Sequence, residues 1–266
     1  MASRVIAFVT GGNGGIGYEA IKALLQSPRS YHVLMGSRSL DKAETAIETL
    51  KKECPQSSNT VEAVQLDLAS DDSIEKAFKH VEKTHGLLDV LINNAGAALD
   101  LEFLAGKISL RESFNKAYDV NVSGTNVLTW TFIPLLLKSA DPRLIFVTGL
   151  SSITEAAQGP YFPTPPQPAG WPKQISFETI GYRCTKCALN MLMVDWNHKL
   201  KEDKIKVWAL APGMLATNLG GVGPEKAAEM GAKHPSIGGQ FIRTVVEGER
   251  DADVGKIVAR DGIMLW

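Results

Sequence analysis

The sequence predicts one doubly wound α/β domain over residues 1–266, a parallel sheet with helices on both faces. Short apolar runs of strand length alternate along the chain with longer segments of helical periodicity, as repeated strand–helix crossovers require. The first such junction is a glycine turn, Thr10-Gly11-Gly12-Asn13-Gly14-Gly15-Ile16-Gly17. A length of 266 residues suits a single unit of this class.

Residues 4–9 form an apolar, partly β-branched run suited to a buried parallel strand, and residues 18–25 place apolar side chains at helical spacing. Strand, glycine turn and helix make a phosphate cradle. Glycine lets the backbone turn sharply and approach a pyrophosphate, and the N–H groups of the helix start favour an anion. The glycines admit two registers. Gly12-x-Gly14-x-x-Gly17 fits the general dinucleotide fingerprint; the other is Thr10-Gly11-x-x-x-Gly15-x-Gly17.

Residues 31–36 read as the second strand. An acid at its end would take the ribose 2′-OH of NAD, but Ser37 and Arg38 stand there, and the next acid, Asp41, begins the following helix. A guanidinium matches a 2′-phosphate in charge and fork geometry, so the reading is NADP(H) over NAD(H). A helix over 41–53 ends near Cys54-Pro55, and 61–66 is the third strand, leading into Asp67 and Leu68. Asp67 can accept from an adenine amino group, cap the next helix, or do both. A helix over 72–84 and a fourth strand over 88–92 follow, closed by Asn93-Asn94-Ala95-Gly96. Ala95 and Gly96 are small enough for a flat ring or ribose to approach, and the asparagines can tie neighbouring strand ends together.

The segment 109–139 has helical periodicity and contains Asn121, which amid apolar neighbours needs hydrogen-bond partners. The fifth strand, 143–148, runs into Gly149-Leu150-Ser151-Ser152. Six prolines between 160 and 172 forbid a helix or central strand there. Tyr161, Phe162 and Trp171 nevertheless give that stretch apolar area to bury, so about 153–176 reads as an insertion over a substrate site. Tyr182 and Lys186 open a helix running to about residue 200, and their i, i+4 spacing puts phenol and ammonium on one face. A neighbouring cation favours the phenolate, making Tyr182 a usable proton donor and acceptor. A sixth strand over 204–210 ends at Pro212-Gly213. Residues 214–235, rich in Gly, Ala and Met, read as a mobile substrate flap, and a helix over 236–247 with a short strand over 254–259 completes the domain.

The Thr10–Gly17 turn, Asn93-Asn94-Ala95-Gly96, Asn121 and Tyr182-x-x-x-Lys186, in this order, resemble the short-chain dehydrogenase/reductase family over essentially the whole chain. The resemblance selects the second glycine register and implies a Rossmann-type fold. The implied reaction is reversible hydride transfer between NADP(H) and a carbonyl or alcohol. The apolar insertion points to a bulky, partly apolar small molecule as substrate. Tyr182 would protonate the carbonyl oxygen, Lys186 would lower the Tyr182 pKa and hold the ribose, and Asn121 would hold a relay water. The implied cofactor contacts are Thr10, Gly11, Asn13, Gly15, Ile16 and Gly17 in the cradle, with Arg38, Asp67 and Leu68 around the adenosine. Asn94, Gly96, Tyr182 and Lys186 follow, then Pro212, Gly213, Leu215 and Thr217 near the nicotinamide. The chain departs from the family at the carbonyl-polarising serine. Strict counting from Arg143 lands on Gly149; a two-residue bulge brings Ser151 into place, and matching the serine pair chooses Ser152. Ser151 is preferred. Two other functions stay open: a catalytically silent NADP-binding regulatory or scaffolding protein, and an isomerase, epimerase or dehydratase of the same family without net cofactor turnover. The family pairs through helices beginning near Ser109 and Tyr182. A homodimer or homotetramer is therefore expected, or a monomer if the insertion before Tyr182 blocks pairing.

Composition narrows the partners. Lys and Arg number 28 against 29 Asp and Glu, a net charge of −1, so no basic face argues for nucleic acid or a membrane surface. Three cysteines make no disulfide framework, and Cys184-x-x-Cys187 reads as two helix positions rather than a metal pair. No metal is expected. No apolar run is long enough to span a bilayer, and residues 5–9 are too short for a signal peptide, so a cytoplasmic location is expected.

Overall fold

The computed structural model describes residues 4–149, 153–158 and 166–266. Its framework is an eight-stranded sheet in the order β3-β2-β1-β4-β5-β6-β7-β8. The strands are β1 (Val5–Thr10), β2 (Tyr31–Ser37), β3 (Thr60–Gln65), β4 (Val90–Asn93), β5 (Arg143–Val147), β6 (Lys206–Ala211), β7 (Ile257–Ala259) and β8 (Gly262–Ile263). All neighbours pair in parallel except β7 with β8, a terminal antiparallel hairpin that was not expected. The chain reverses its direction of travel across the sheet between β1 and β4. That switch point opens a crevice at the strands' carboxyl ends, where ligands bind in this architecture.

Strands buried on both faces need apolar residues at every position, and each face has its own core. On one side Phe8, Leu34, Leu91 and Phe146 pack under α3 (Asp71–Thr84), α6 (Thr125–Leu136) and α8 (Ile180–Lys199). On the other, Val9, Val33, Ile92 and Trp208 pack under α1 (Gly15–Leu25), α2 (Leu40–Glu53) and α10 (Ser236–Val246). At the foot of β5 the buried Arg143 guanidinium binds Asp141 and Asp251 and lies 5.6 Å from the Trp208 ring centroid. There a charged group is fully paired inside the sheet margin.

The 109–139 stretch is not one regular helix. It comprises α5 (Leu110–Tyr118), a π-helical turn over Asp119–Gly124, and α6. Three short helices complete the chain: α4 (Asp100–Leu104), α7 (Ile153–Gln158) at the head of the proline-rich stretch, and α9 (Pro224–Glu229) within 214–235. Residues 166–176 carry no helix or strand.

Candidate active site

The cradle begins where β1 ends. The Thr10 hydroxyl oxygen accepts from the backbone N–H groups of Asn94 and Ala95, both at 2.9 Å, and the Asn94 amide donates to the Thr10 carbonyl at 2.8 Å. The ends of β1 and β4 are thus tied together, as the asparagine pattern suggests. Gly11 has φ +64°, and a Cβ there would lie 3.0 Å from Ala95 Cα; one at Gly17 would lie 2.5 Å from Asn94 Nδ2. Gly15 has φ +54°, whereas a Cβ at Gly14 would meet nothing within 4 Å. Gly17 is common to both registers and Gly12 is crowded only by the side chains of Ile21 and Met35, so the positive φ angles of Gly11 and Gly15 favour the second register. Helix α1 starts with no side-chain cap and no acid in its first turn. Its orphan N–H groups suit a phosphate, so the residues present fit a dinucleotide.

The turn after β6 closes over this cradle. A Cβ on Gly238 would touch Leu215, Ile16 and Pro212 together, and Thr217 Cγ2 would lie 3.3 Å from a Cβ on Gly15. Gly213 has φ +90°. Arg38 is exposed just past the carboxyl end of β2 and makes no ion pair with any described residue. An open cleft of about 440 Å³ runs between the glycine turn and α2, lined by Asn13, Tyr18, Asp41, Lys42 and Thr45 but not by Arg38. Lys42 is the cation lining it, and the sequence reading missed it. Asp67 folds back to accept from the Ala69 N–H at 3.1 Å, while the cap of α3 is Ser70. The capping alternative for Asp67 is corrected accordingly. Leu68 is buried, and its carbonyl lies 1.9 Å from where a Cβ on Gly124 would stand, a close approach that requires glycine.

The strand ends β4 and β5, the π-helical turn and α8 converge on one cluster. Buried Asn121 accepts from the Ala97 N–H at 2.7 Å and donates to the Ala97 carbonyl at 2.8 Å and to Thr185 Oγ1 at 2.9 Å. Thr185 donates in turn to the Tyr182 carbonyl. Buried Lys186 donates from Nζ to the Val147 carbonyl at 2.8 Å and lies 5.4 Å from the Tyr182 ring centroid. A Cβ on Gly96 would stand 3.4 Å from Asn121 Oδ1 and 3.7 Å from Lys186 Nζ, leaving space for a flat group over these side chains. Burial pushes the Tyr182 phenol above its ordinary range and lowers Lys186 to about 8. The expected depression of the phenol by its cation is therefore outweighed, in this structure, by desolvation of both groups.

Gly149, the strict-count position after β5, faces the phenol: a Cβ there would lie 3.4 Å from Tyr182 Oη. Ser151 and Ser152 lie outside the described residues. Thr148 is buried and directs its hydroxyl to the Lys186 carbonyl at 3.4 Å. One positioning residue escaped the sequence reading. Buried Asp100 accepts from the Gly181 N–H at 2.7 Å and the Tyr182 N–H at 3.1 Å, fixing the start of α8. Its position shortly after Asn93-Asn94-Ala95-Gly96 was visible, but its partners lie 81 and 82 residues away.

A family profile described as short chain dehydrogenase matches residues 5–163. The short-chain dehydrogenase/reductase tropE of Talaromyces stipitatus is 45% identical over 268 residues, covering 98% of this chain and 97% of that protein. The short-chain dehydrogenase/reductase eupG of a Phoma species is 43% identical, covering 99% and 98%. Among solved structures, an NADPH-bound carbonyl reductase from chicken fatty liver superposes with a TM-score of 0.74 at 24% identity, covering 100% of both chains. A 3-oxoacyl-[acyl-carrier protein] reductase from Brucella melitensis in complex with NAD gives 0.75 at 22%, covering 97% of this chain and 96% of that one. With the site geometry, these likenesses place the chain in the short-chain dehydrogenase/reductase family of oxidoreductases.

Proposed function

We propose that this chain is an NADP(H)-dependent oxidoreductase that interconverts a ketone or aldehyde and an alcohol on a bulky, partly apolar small molecule. The observation that carries the reading is the convergence of Tyr182, Lys186 and Asn121 on the space beside Gly96 and Gly149. When bound, the cofactor supplies or accepts the hydride. Tyr182 gives the proton to the carbonyl oxygen, Lys186 and Asn121 form the polar chain behind it, and Ser151, with Ser152 as the alternative, gives the second hydrogen bond. Arg38, with Lys42 nearby, supports the 2′-phosphate form. Structural likenesses were solved with either cofactor, so the choice rests on these cations. Segments 153–176 and 214–235 are proposed to cover the substrate. A cavity of about 210 Å³ where the end of the first segment meets the second, lined by Leu101, Ser176, Phe177, Val222, Lys226 and Met230, is a mixed apolar and polar space consistent with that cover. No described helix is long and apolar enough to cross a membrane, and a cytoplasmic location is proposed.

A second reading, the catalytically silent binder, is favoured only by the missing side chain at Gly149. One experiment separates the two: NADPH oxidation against a panel of ketones and aldehydes. Turnover is expected, Tyr182→Phe should abolish it with NADPH affinity kept, and Arg38→Ala should weaken NADPH about ten- to hundredfold while sparing NADH. No oxidation with any carbonyl, or a Tyr182→Phe protein as active as the wild type, refutes the oxidoreductase reading.

A further inference from the structure

Three of the chain's five histidines gather around one carboxylate, away from the crevice. His32 lies near the amino end of β2 and Glu62 on β3, where Leu34 is its register partner, so both side chains stand on the sheet face covered by α3. Helix α3 brings His80, and its C-cap is His85. Glu62 Oε1 lies 3.2 Å from His80 Nε2 and 3.3 Å from His85 Nε2, and Glu62 Oε2 lies 3.4 Å from His32 Nε2. Donor atoms of His32, Glu62 and His85 all fall within 4.8 Å of one another.

We propose that His32, Glu62 and His85, with His80 as fourth donor, bind one divalent transition-metal ion of the zinc class. Metal–ligand distances of about 2.0–2.2 Å in a tetrahedron put neighbouring donors about 3.3–3.5 Å apart. The three Glu62–histidine separations are close to this, and two of them are hydrogen bonds without a metal. His80 lies outside the set of mutually close donors, so its side chain would swing inward to complete the tetrahedron. Imidazole and carboxylate donors select zinc-like ions over calcium or magnesium. His32 Nε2 is buried and makes no hydrogen bond although it faces a carboxylate oxygen. In the tautomer whose Nδ1–H donates to Thr60 Oγ1, Nε2 turns a lone pair toward the carboxylate, and a cation between the two would satisfy both. The other ring nitrogen is held from behind, with His32 Nδ1 2.7 Å from Thr60 Oγ1, which also accepts from Arg4 at 3.2 Å. Such a backing partner orients a ligating histidine. The C-terminal end of α3 adds its negative dipole end to the same spot.

The site would clip the edge strand β3 to β2 and α3, and it takes no part in hydride transfer. The test is calorimetric titration of the chelator-stripped full chain with Zn²⁺, followed by thermal melting with and without the ion. One Zn²⁺ should bind per chain and raise the melting temperature. Affinity should fall about tenfold or more in E62Q, H85Q and H80Q. The double variant C184S/C187S should bind as the wild type does. H80Q alters a half-exposed side chain and so keeps the test open if a more buried variant fails to fold. Absence of saturable binding, or equal affinity in the wild type and in the folded variants, overturns the proposal. So does pH-dependent stability that ignores zinc, which would mark a protonated histidine cluster on Glu62.

Discussion

Lys186 is held at a cost to stability. Its ammonium is buried against one carbonyl, that of Val147, and desolvation lowers its pKa from 10.5 to about 8. The unfolded chain therefore binds this proton more tightly than the folded one. The resulting destabilisation, of order 3 kcal/mol, is complete below about pH 8 and fades as pH rises toward 10.5. Lys186→Met removes that penalty but strands the Val147 carbonyl, which returns about 1 kcal/mol or more. The variant should be inactive yet more stable than the wild type by about 1–2 kcal/mol at pH 7, with the gain shrinking as pH rises through 8–10.5. Chemical denaturation at pH 7 and pH 10 checks it. An unchanged or lower stability at pH 7 would mean that Lys186 is better solvated than its surroundings indicate. At this scale the placement was legible where motif order brings residues to one site: Tyr182, Lys186 and Asn121 gather beside Gly96, and the cradle glycines lie at the end of β1. Asp100 was not, because a carboxylate's partner far along the chain leaves no local pattern.

Helix α8 carries both Tyr182 and Lys186, and two carboxylates set its start. Glu178 accepts from the Thr179 and Ile180 N–H groups, and Asp100 from those of Gly181 and Tyr182. Four orphan donors are satisfied, and both charges sit at the positive end of the helix dipole. In the proposed reaction Asp100 would act through Tyr182's backbone, as a positioning residue. Asp100→Ala should cost about 1–2 kcal/mol in stability and lower kcat more than it raises KM, with Asp100→Asn restoring much of both. Steady-state kinetics beside denaturation curves test this, and a loss confined to stability would make Asp100 structural only. The π-helical turn before α6 was likewise hidden. Its residues have ordinary helical periodicity, and only the contacts of Asn121 with Ala97 and of Gly124 with the Leu68 carbonyl favour the extra residue in the turn. Those contacts are long-range, whereas periodicity reports only local geometry.

Across the whole molecule, the parallel sheet and its two helical layers were legible because seven apolar strand runs alternate with helical segments, whereas the strand order came from the structure. Assembly was not legible either, since a surface is recognised only once the fold has exposed it. On α6 Trp130 is 69% exposed, and on α8 Met191 is 68% exposed. Trp130 meets Trp196 of α8 edge-on with ring centroids 6.1 Å apart, so the two helices form one continuous outer face that also carries Leu137 and Val194. A second copy of this chain is the expected occupant: the face is apolar, and the family resemblance implies pairing through helices in the segments that begin near Ser109 and Tyr182. Scattered single apolar residues need no such explanation, but a contiguous patch does. Light scattering on the eluting protein should give a dimer or a multiple of it, and Trp130→Glu with Met191→Glu should give a monomer. Both substitutions lie outside the cluster around Tyr182, so the monomer should keep NADPH binding. A wild-type chain that elutes as a monomer at micromolar concentration would show that this face does not pair. The proline-rich segment ahead of α8 would then be the first place to look for what blocks it.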